Sequence, residues 1–250
     1  MKLKDKIALV TGGSRGIGRA ISLGLAKEGA HVVVNYVTHK ESAYEVVTKI
    51  KGLERKALAI KSDISKKTEV TRMVKKVMDE FGRIDILVNN AGVGPFKSFL
   101  ETTEELWDRT LAINLKGIFL VSQAVSMEMI KQGKGKIVNI TSISGEKATH
   151  PDQVVYCTSK AGANMLTKVM ALALAPYNIT VNAVLPGTIE TDINREGLSR
   201  PGVKECIIER TPLKKLGKPE DVVGAVILLS SEDADWITGE LMVIDGGYLL

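Results

Sequence analysis

Seven short aliphatic runs punctuate the chain, at positions 7–10 ("IALV"), 32–34 ("VVV"), 57–60 ("ALAI"), 85–88 ("DILV"), 136–140 ("KIVNI"), 179–184 ("ITVNAV") and 241–244 ("LMVI"). They are brief and often β-branched, which predicts strands. Several show no alternation of apolar and polar residues, so both faces are expected to be covered, as in a parallel sheet. Between the runs, apolar positions recur at helical spacing over 18–29, 41–52 and 67–82. In the last of these, Val70, Met73, Val74 and Val77 form one stripe. Each stretch stops on a glycine (Gly29, Gly52, Gly82), the residue that most often closes a last helical turn. Two further helical stretches, 103–133 and 160–175, are apolar almost all round. Such helices pack on both sides, and one side is expected to meet another subunit.

Strand and helix alternate from end to end, which predicts an α/β fold with a doubly wound, seven-stranded parallel sheet. Prolines are few and no linker interrupts the chain, so residues 1–250 are expected to form a single domain. One segment breaks the rhythm. Residues 187–221 are polar and lie between the sixth and seventh strands. A long insertion at that level predicts a binding loop or lid, here centred on 187–215.

Composition narrows the picture. A chain of 250 residues with 44% apolar residues can bury a sizeable core, and with 4% aromatics that core must be aliphatic. The 34 basic and 29 acidic residues give a net charge of +5, but they are interspersed. This pattern predicts a solvated surface with mild attraction for anionic small molecules, and neither nucleic acid nor membrane as a partner. The two cysteines, Cys157 and Cys206, form no metal-ligand spacing, so no metal site is expected. Their scarcity fits a reducing compartment, the cytoplasm. The N-terminal apolar run is short and broken by glycine, unlike a signal peptide.

The residues "TGGSRGIG" (11–18) follow the first strand and open the first helix. Gly12, Gly16 and Gly18, with Ser14, Arg15 and Ile17 between them, would let backbone N–H groups approach a pyrophosphate at the positive end of a helix. The spacing departs from G-x-G-x-x-G, and position after the first strand is what supports the assignment. The second strand ends in Asn35 and Tyr36, with no carboxylate to hold a ribose 2′-hydroxyl. Arg15 could instead reach a 2′-phosphate, unless it simply faces water. NADP is therefore the expected cofactor, with NAD possible. His39 and Lys40 are weaker partners for that phosphate, since Val37 stands where a basic residue is expected.

Seven motifs occur in order: "TGGSRGIG" (11–18), Asp63 in "SDIS", "NNAG" (89–92), "INLKG" (113–117), "IVNITSISG" (137–145), "YCTSK" (156–160) and "PGTIETD" (186–192). Together they resemble the short-chain dehydrogenase/reductases over essentially the whole chain. The resemblance implies a Rossmann-type fold, with Ser142 and Tyr156 as catalytic residues. It implies Lys160 in the same site, on the nicotinamide ribose hydroxyls, and Asn114 anchoring a proton-relay water. Asp63 and Ile64 would flank the adenine, and Asn90, Ala91 and Gly92 would line the cofactor. Pro186, Gly187, Ile189 and Thr191 would hold the nicotinamide carboxamide. Simpler roles stay open: Asn89 as a strand-end brace, Asn114 as a helix cap or kink. A 222-symmetric homotetramer is also implied.

The chemistry follows from the residue types. A hydride moved to or from carbon must be matched by a proton on its oxygen. Free tyrosine ionises near 10. Lys160 lies one helical turn from Tyr156, on the same face. Its ammonium, with the charge of an oxidised nicotinamide, is expected to lower the phenol by about two or three units, into the working range. Ser142 would hold the substrate oxygen. The substrate pocket is expected from 93–96, 144–153 and 187–212, with Ser142, Ser144, Gln153 and Tyr156 touching a small-molecule substrate. Glu146 and His150 belong either to that polar rim or to the solvent. "NNAGVGPFKSF" (89–99) and residues 186–221 resemble aldose 1-dehydrogenases, in particular the L-rhamnose type. The overall pattern is similar to 3-oxoacyl-[acyl-carrier-protein] reductases too, whose acidic carrier suits a positive chain. A non-catalytic dinucleotide sensor is the third reading, though such proteins usually lack part of the Ser–Tyr–Lys set.

Overall fold

Seven parallel strands stand on the seven aliphatic runs: β1 (Ile7–Val10), β2 (His31–Tyr36), β3 (Ala57–Lys61), β4 (Ile86–Asn89), β5 (Gly135–Ile140), β6 (Ile179–Pro186) and β7 (Leu241–Ile244). The structure, a computed structural model, describes residues 1–250. The strands form one sheet in the order β3-β2-β1-β4-β5-β6-β7, every pair parallel. The chain first winds outward from β1 to β3, then returns to place β4 on the other side of β1. That reversal leaves a crevice beyond the carboxyl ends of β1 and β4.

Strand side chains alternate between faces, and each face has its own helices. On one side Ala8, Val10, Val32 and Val34 pack against Ile21 and Leu25 of α1 (Gly16–Lys27), Val46 and Ile50 of α2 (Lys40–Lys51), and Val226 and Leu229. On the other, Ile7, Leu9, Val33 and Leu87 meet the Val70–Met73–Val74–Val77 stripe of α3 (Lys67–Phe81) together with Leu120, Val121, Val125 and Met129. Each such aliphatic side chain, fully buried, contributes about 1.5–3 kcal/mol relative to exposure.

The 103–133 stretch is not one continuous α-helix. It divides into α4 (Glu104–Leu111) and α5 (Gly117–Gln132), joined by a π-helical turn over Ala112–Lys116 that holds Asn114. This run is apolar and long enough to cross a bilayer, but half of its most apolar window is buried within the fold, as in a core helix. The second long helix, α6 (Val154–Leu174), includes the Tyr156–Lys160 turn that the spacing predicted, and Tyr156 falls in its first turn. The 187–221 segment carries two short helices, α7 (Asp192–Leu198) and α8 (Val203–Arg210), where the polar pattern suggested only loop. A last helix, α9 (Val223–Ser230), supplies the Val226 and Leu229 contacts named above.

A buried polar chain ties the sheet to α5 and α6. Asn89 Nδ2 donates to Ser122 Oγ and to Asn139 Oδ1, both at 2.9 Å. Asn139 Nδ2 in turn donates to Thr167 Oγ1 at 2.9 Å. Asn89 is thus the strand-end brace that its position allowed. Asn139→Ala would strand the amide of Asn89 and leave a void, so unfolding free energy should fall by about 2–4 kcal/mol. Urea denaturation checks this, with an unchanged slope expected.

Candidate active site

The first loop is built by close packing. Gly12 and Gly16 adopt left-handed backbone angles, with φ of +61° and +51°. A Cβ on Gly18 would overlap the Gly12 carbonyl oxygen and the Asn90 amide nitrogen. Asn90 Nδ2 donates to the carbonyls of Thr11 and Gly12 at 3.0 and 3.1 Å, and Thr11 Oγ1 accepts from the N–H groups of Asn90 and Ala91. The loops after β1 and β4 are therefore locked together. Arg15 sits at the N-cap of α1 without a side-chain cap. The first N–H groups of α1 face the cleft with no side chain on them, as an anion site requires. A pyrophosphate fits this cradle.

The loop borders a cleft of about 560 Å³ along the carboxyl edge of the sheet. Every residue that the sequence assigned to a dinucleotide lines it, from Gly12 to Thr191, except the weaker candidate Lys40, whose ammonium lies 5.9 Å from the centroid of the Tyr44 ring. Contact with the cleft is not the same as a free functional group, however. Asn35 is buried, with Oδ1 accepting from Gly12 N–H at 3.3 Å and Nδ2 donating to the Ser62 carbonyl at 2.9 Å. Its side chain shapes the loop and has no amide hydrogen left for a ribose. Tyr36 is likewise packed into the core. Arg15 is exposed to solvent, and its Nη1 lies 3.0 Å from Asp192 Oδ2, so it faces water with a carboxylate rather than a phosphate as its partner. At the adenine end, burial would raise the Asp63 carboxyl. The hydrogen bonds from Ser65 and the Lys66 ammonium overcome that and hold it below the usual carboxylate range.

Asn114 does not line the cleft. It is fully buried, and its amide clamps the Val93 backbone from both sides, Oδ1 accepting at 2.9 Å and Nδ2 donating at 2.8 Å. Nδ2 also donates to Ser159 Oγ at 3.0 Å. Both of its amide hydrogens are used within the fold. Asn114 sits in the π-helical turn between α4 and α5, but its side chain ties that turn to Val93, beyond the end of β4, rather than capping a helix.

Ser142, Tyr156 and Lys160 come together where β5 ends and α6 begins. A Cβ on Gly145 would press into the backbone of Lys160, so the 143–145 turn can lie flat on α6 only because that side chain is missing. Ser142 Oγ accepts from Ser144 N–H at 3.0 Å. Lys160, buried, donates from Nζ to the Ile140 carbonyl at 3.0 Å and lies 5.7 Å from the centroid of the Tyr156 ring.

The electrostatics reverse the expectation for the phenol. Burial pushes Tyr156 above its ordinary value, and a hydrogen bond with the Ser142 hydroxyl pulls only partly the other way. Burial also pulls Lys160 down, to about 8. Removal from water favours the neutral form of each group. With the ammonium directed at a backbone carbonyl and the ring face, attraction to a phenolate does not win in the protein alone.

A second cavity, of about 430 Å³, adjoins the first. The two share Ser142, Tyr156, Gly187 and Asn194 as a common border. Its inner wall is a hydrogen-bonded chain: Ser142 Oγ to Ser144 N–H, Ser144 Oγ to Thr149 Oγ1 at 2.8 Å, and Thr149 Oγ1 to Gln153 Oε1 at 3.2 Å. Its outer wall is more apolar, with Phe96 and with Leu198, Val203 and Ile207 of the 187–221 segment. All four residues assigned to the substrate line it, as does His150. Glu146 does not; its Oε1 accepts from Asn164 Nδ2 at 2.7 Å.

Residues 12–249 match the family model described as enoyl-(acyl carrier protein) reductase. The chain is 40% identical over 250 residues to an L-rhamnose 1-dehydrogenase (NAD(P)(+)) of a Sphingomonas species, covering 98% of this chain and 96% of that protein. The chain belongs to the short-chain dehydrogenase/reductase family. It is also 43% identical over 243 residues to a 3-oxoacyl-[acyl-carrier-protein] reductase of Staphylococcus epidermidis, covering 97% and 98%. Among solved structures it is similar to a gluconate 5-dehydrogenase from Burkholderia cenocepacia in complex with NADP and tartrate, with TM-score 0.94, 33% identity, and coverage of 99% and 96%. As in its relatives, the chemistry is that of an oxidoreductase; identity alone does not choose among their substrates.

Two lining residues had no signal in the sequence: Arg109 of α4 borders the cleft and Tyr248 borders the second cavity. Arg210, within the expected 187–212 wall, and Thr141, within the 137–145 motif, line them too, though neither was singled out. At the "VIDGGYLL" end, Asp245 accepts from the N–H groups of Gly247 and Leu249 and turns the tail so that Tyr248 enters the wall. No local pattern marks such a return.

Gly18→Ala should weaken NADPH binding by at least about tenfold, because the added methyl forces the pyrophosphate loop apart; fluorescence titration reads this. Lys160 offers a test of sign. Lowering it from 10.5 to about 8 corresponds to about 3 kcal/mol lost on folding, at about 1.4 kcal/mol per factor of ten. The loss is complete below pH 8, where both states are protonated. It shrinks from pH 8 to 10.5, where only the unfolded chain holds the proton. Lys160→Met should therefore stabilise the cofactor-free protein most below pH 8, with the gain fading at higher pH in chemical denaturation.

Proposed function

We propose that the protein is an NADP-dependent aldose 1-dehydrogenase, able to use NAD, that oxidises the anomeric hydroxyl of a sugar to the lactone. One observation carries the reading: Ser142 and Tyr156 stand on the border between a dinucleotide-sized cleft and a pocket with a hydroxyl-lined inner wall and a more apolar outer one. A sugar ring presents hydroxyls at its edge and C–H groups on its face, which suits both walls. The relative named as an L-rhamnose dehydrogenase supports the same substrate class.

The residues would act as follows. Ser142 Oγ and Tyr156 Oη hold the hydroxyl of the reacting carbon. Tyr156 takes its proton as the carbonyl forms, and returns one in the reverse direction. When bound, an oxidised nicotinamide accepts the hydride and adds positive charge beside the phenol. Lys160 would hold the ribose hydroxyls from below. Gly12 to Gly18 would carry the pyrophosphate, Asp63 and Ile64 the adenine, and Pro186 to Thr191 the carboxamide. Arg15 would leave Asp192 for the 2′-phosphate, at an edge where β2 offers no carboxylate. Residues 187–215 would serve as the lid over both cavities. The two cysteines are unpaired, in keeping with a reducing cytoplasm.

A second reading, reduction of 3-oxoacyl thioesters, is favoured by the reductase relative and by the net charge of +5. Aldose and acetoacetyl-thioester panels with NADP(H) and NAD(H), followed by nicotinamide absorbance, separate the two. Turnover of thioesters alone overturns the aldose assignment. The intact Ser142–Tyr156–Lys160 set counts against a mere sensor.

The assembly we infer is a homotetramer. Phe119 and Met127 of α5 and Met165, Val169 and Leu172 of α6 are exposed, Leu172 by 80%. Paired helices from another subunit would cover them.

Tyr156→Phe should lower turnover by about 10²–10⁴-fold while NADPH still binds. Wild-type oxidation should rise with pH, since the base form is needed, and reduction should fall. Light scattering should find the wild type as a tetramer and Leu172→Glu as smaller species.

A further inference from the structure

We infer that Arg210 makes the second cavity a site for anionic substrates, carrying a carboxylate or phosphate besides the reacting hydroxyl. This rests on that cavity being the substrate pocket. No aspartate, glutamate or lysine lines it, and Arg210 is its one formally charged side chain. The other two arginines of 187–215 are neutralised. Arg195 pairs with Asp192, and Arg200 lies 3.1 Å from Asp152. Arg210 has no carboxylate within 4.0 Å; its guanidinium lies 5.1 Å from the centroid of the Tyr248 ring.

The helix explains why. Val203, Cys206 and Ile207 stand seven, four and three residues before Arg210, on one face of α8, and all three line the cavity. Glu205 and Glu209 line neither cavity. Tyr248 in turn is held by the Asp245 turn. A last-turn arginine does complement a helix dipole, and stacking on a ring is favourable anywhere. Neither effect requires the charge to stand in a pocket wall without a counter-ion. A guanidinium fork there matches a carboxylate or phosphate, and partly apolar walls strengthen the attraction. Under the aldose reading, the substrate is an acidic or phosphorylated sugar.

Binding to the NADP-saturated protein tests this without relying on turnover. The probes are D-glucose, D-glucuronate and D-glucose 6-phosphate, measured by calorimetry. At least one anion should bind tighter than glucose by about tenfold or more, and which one tells carboxylate from phosphate. R210Q should abolish that advantage while glucose binding stays within about twofold, and R210K should keep part of it. In the wild type, about 0.5 M NaCl should shrink the anion advantage and spare glucose, which tests the idea without any substitution. Equal binding of neutral and anionic sugars, or an advantage that survives R210Q, overturns the inference. If no sugar is turned over but the anion advantage depends on Arg210, the aldose assignment falls and the anion site stands.

Discussion

The buried hydrogen bond from Lys160 to the Ile140 carbonyl is the contact on which the site depends. It joins the last residue of β5 to the second turn of α6, and so fixes where Tyr156 and Ser142 meet. The ammonium is held in a place that costs folding free energy, as its lowered value near 8 records. A helix that only had to cover the sheet would place an aliphatic residue there. The cost is intelligible as a stability–function trade, in which a charge is kept ready beneath a dinucleotide cleft.

The same burial sets the resting state of the phenol. Tyr156 is raised and Lys160 lowered by one cause, removal from water, so the cofactor-free site favours a protonated tyrosine. A protonated phenol is the form that gives a proton to a carbonyl. Abstraction of a proton needs an added positive charge close by, which ties the direction of proton movement to what occupies the cleft.

Around this centre the fold brings loops together. The reversal of winding at β1 and β4 opens the crevice, and the Thr11–Asn90 hydrogen bonds keep its two rims in register. Asn114 sets the next stretch by holding both polar groups of Val93. The segment after β6 then roofs the second cavity with α7 and α8, while Arg15 reaches across to Asp192 at the start of α7. Under the proposed cofactor reading, a 2′-phosphate and that carboxylate would compete for one guanidinium, which would join cofactor and roof through a single side chain.

The sequence by itself determined the strands, the burial of the central ones on both faces, the helix stops at glycine, and the loop at 11–18. Those features rest on local periodicity and backbone sterics, which a linear pattern records directly. Family motifs located Ser142, Tyr156 and Lys160, because spacing along one helix and one strand end survives in the chain order. Only the tertiary structure decided what each group could do. Asn35 and Asn114 have their amides spent on backbone more than 20 residues away, Arg15 is paired across 177 positions, and Arg210 meets Tyr248 from a different part of the chain. The sense of the Tyr156 and Lys160 shifts belongs to the same class. Desolvation and pairing depend on three-dimensional distance and on the exclusion of water, and neither is written in residue order.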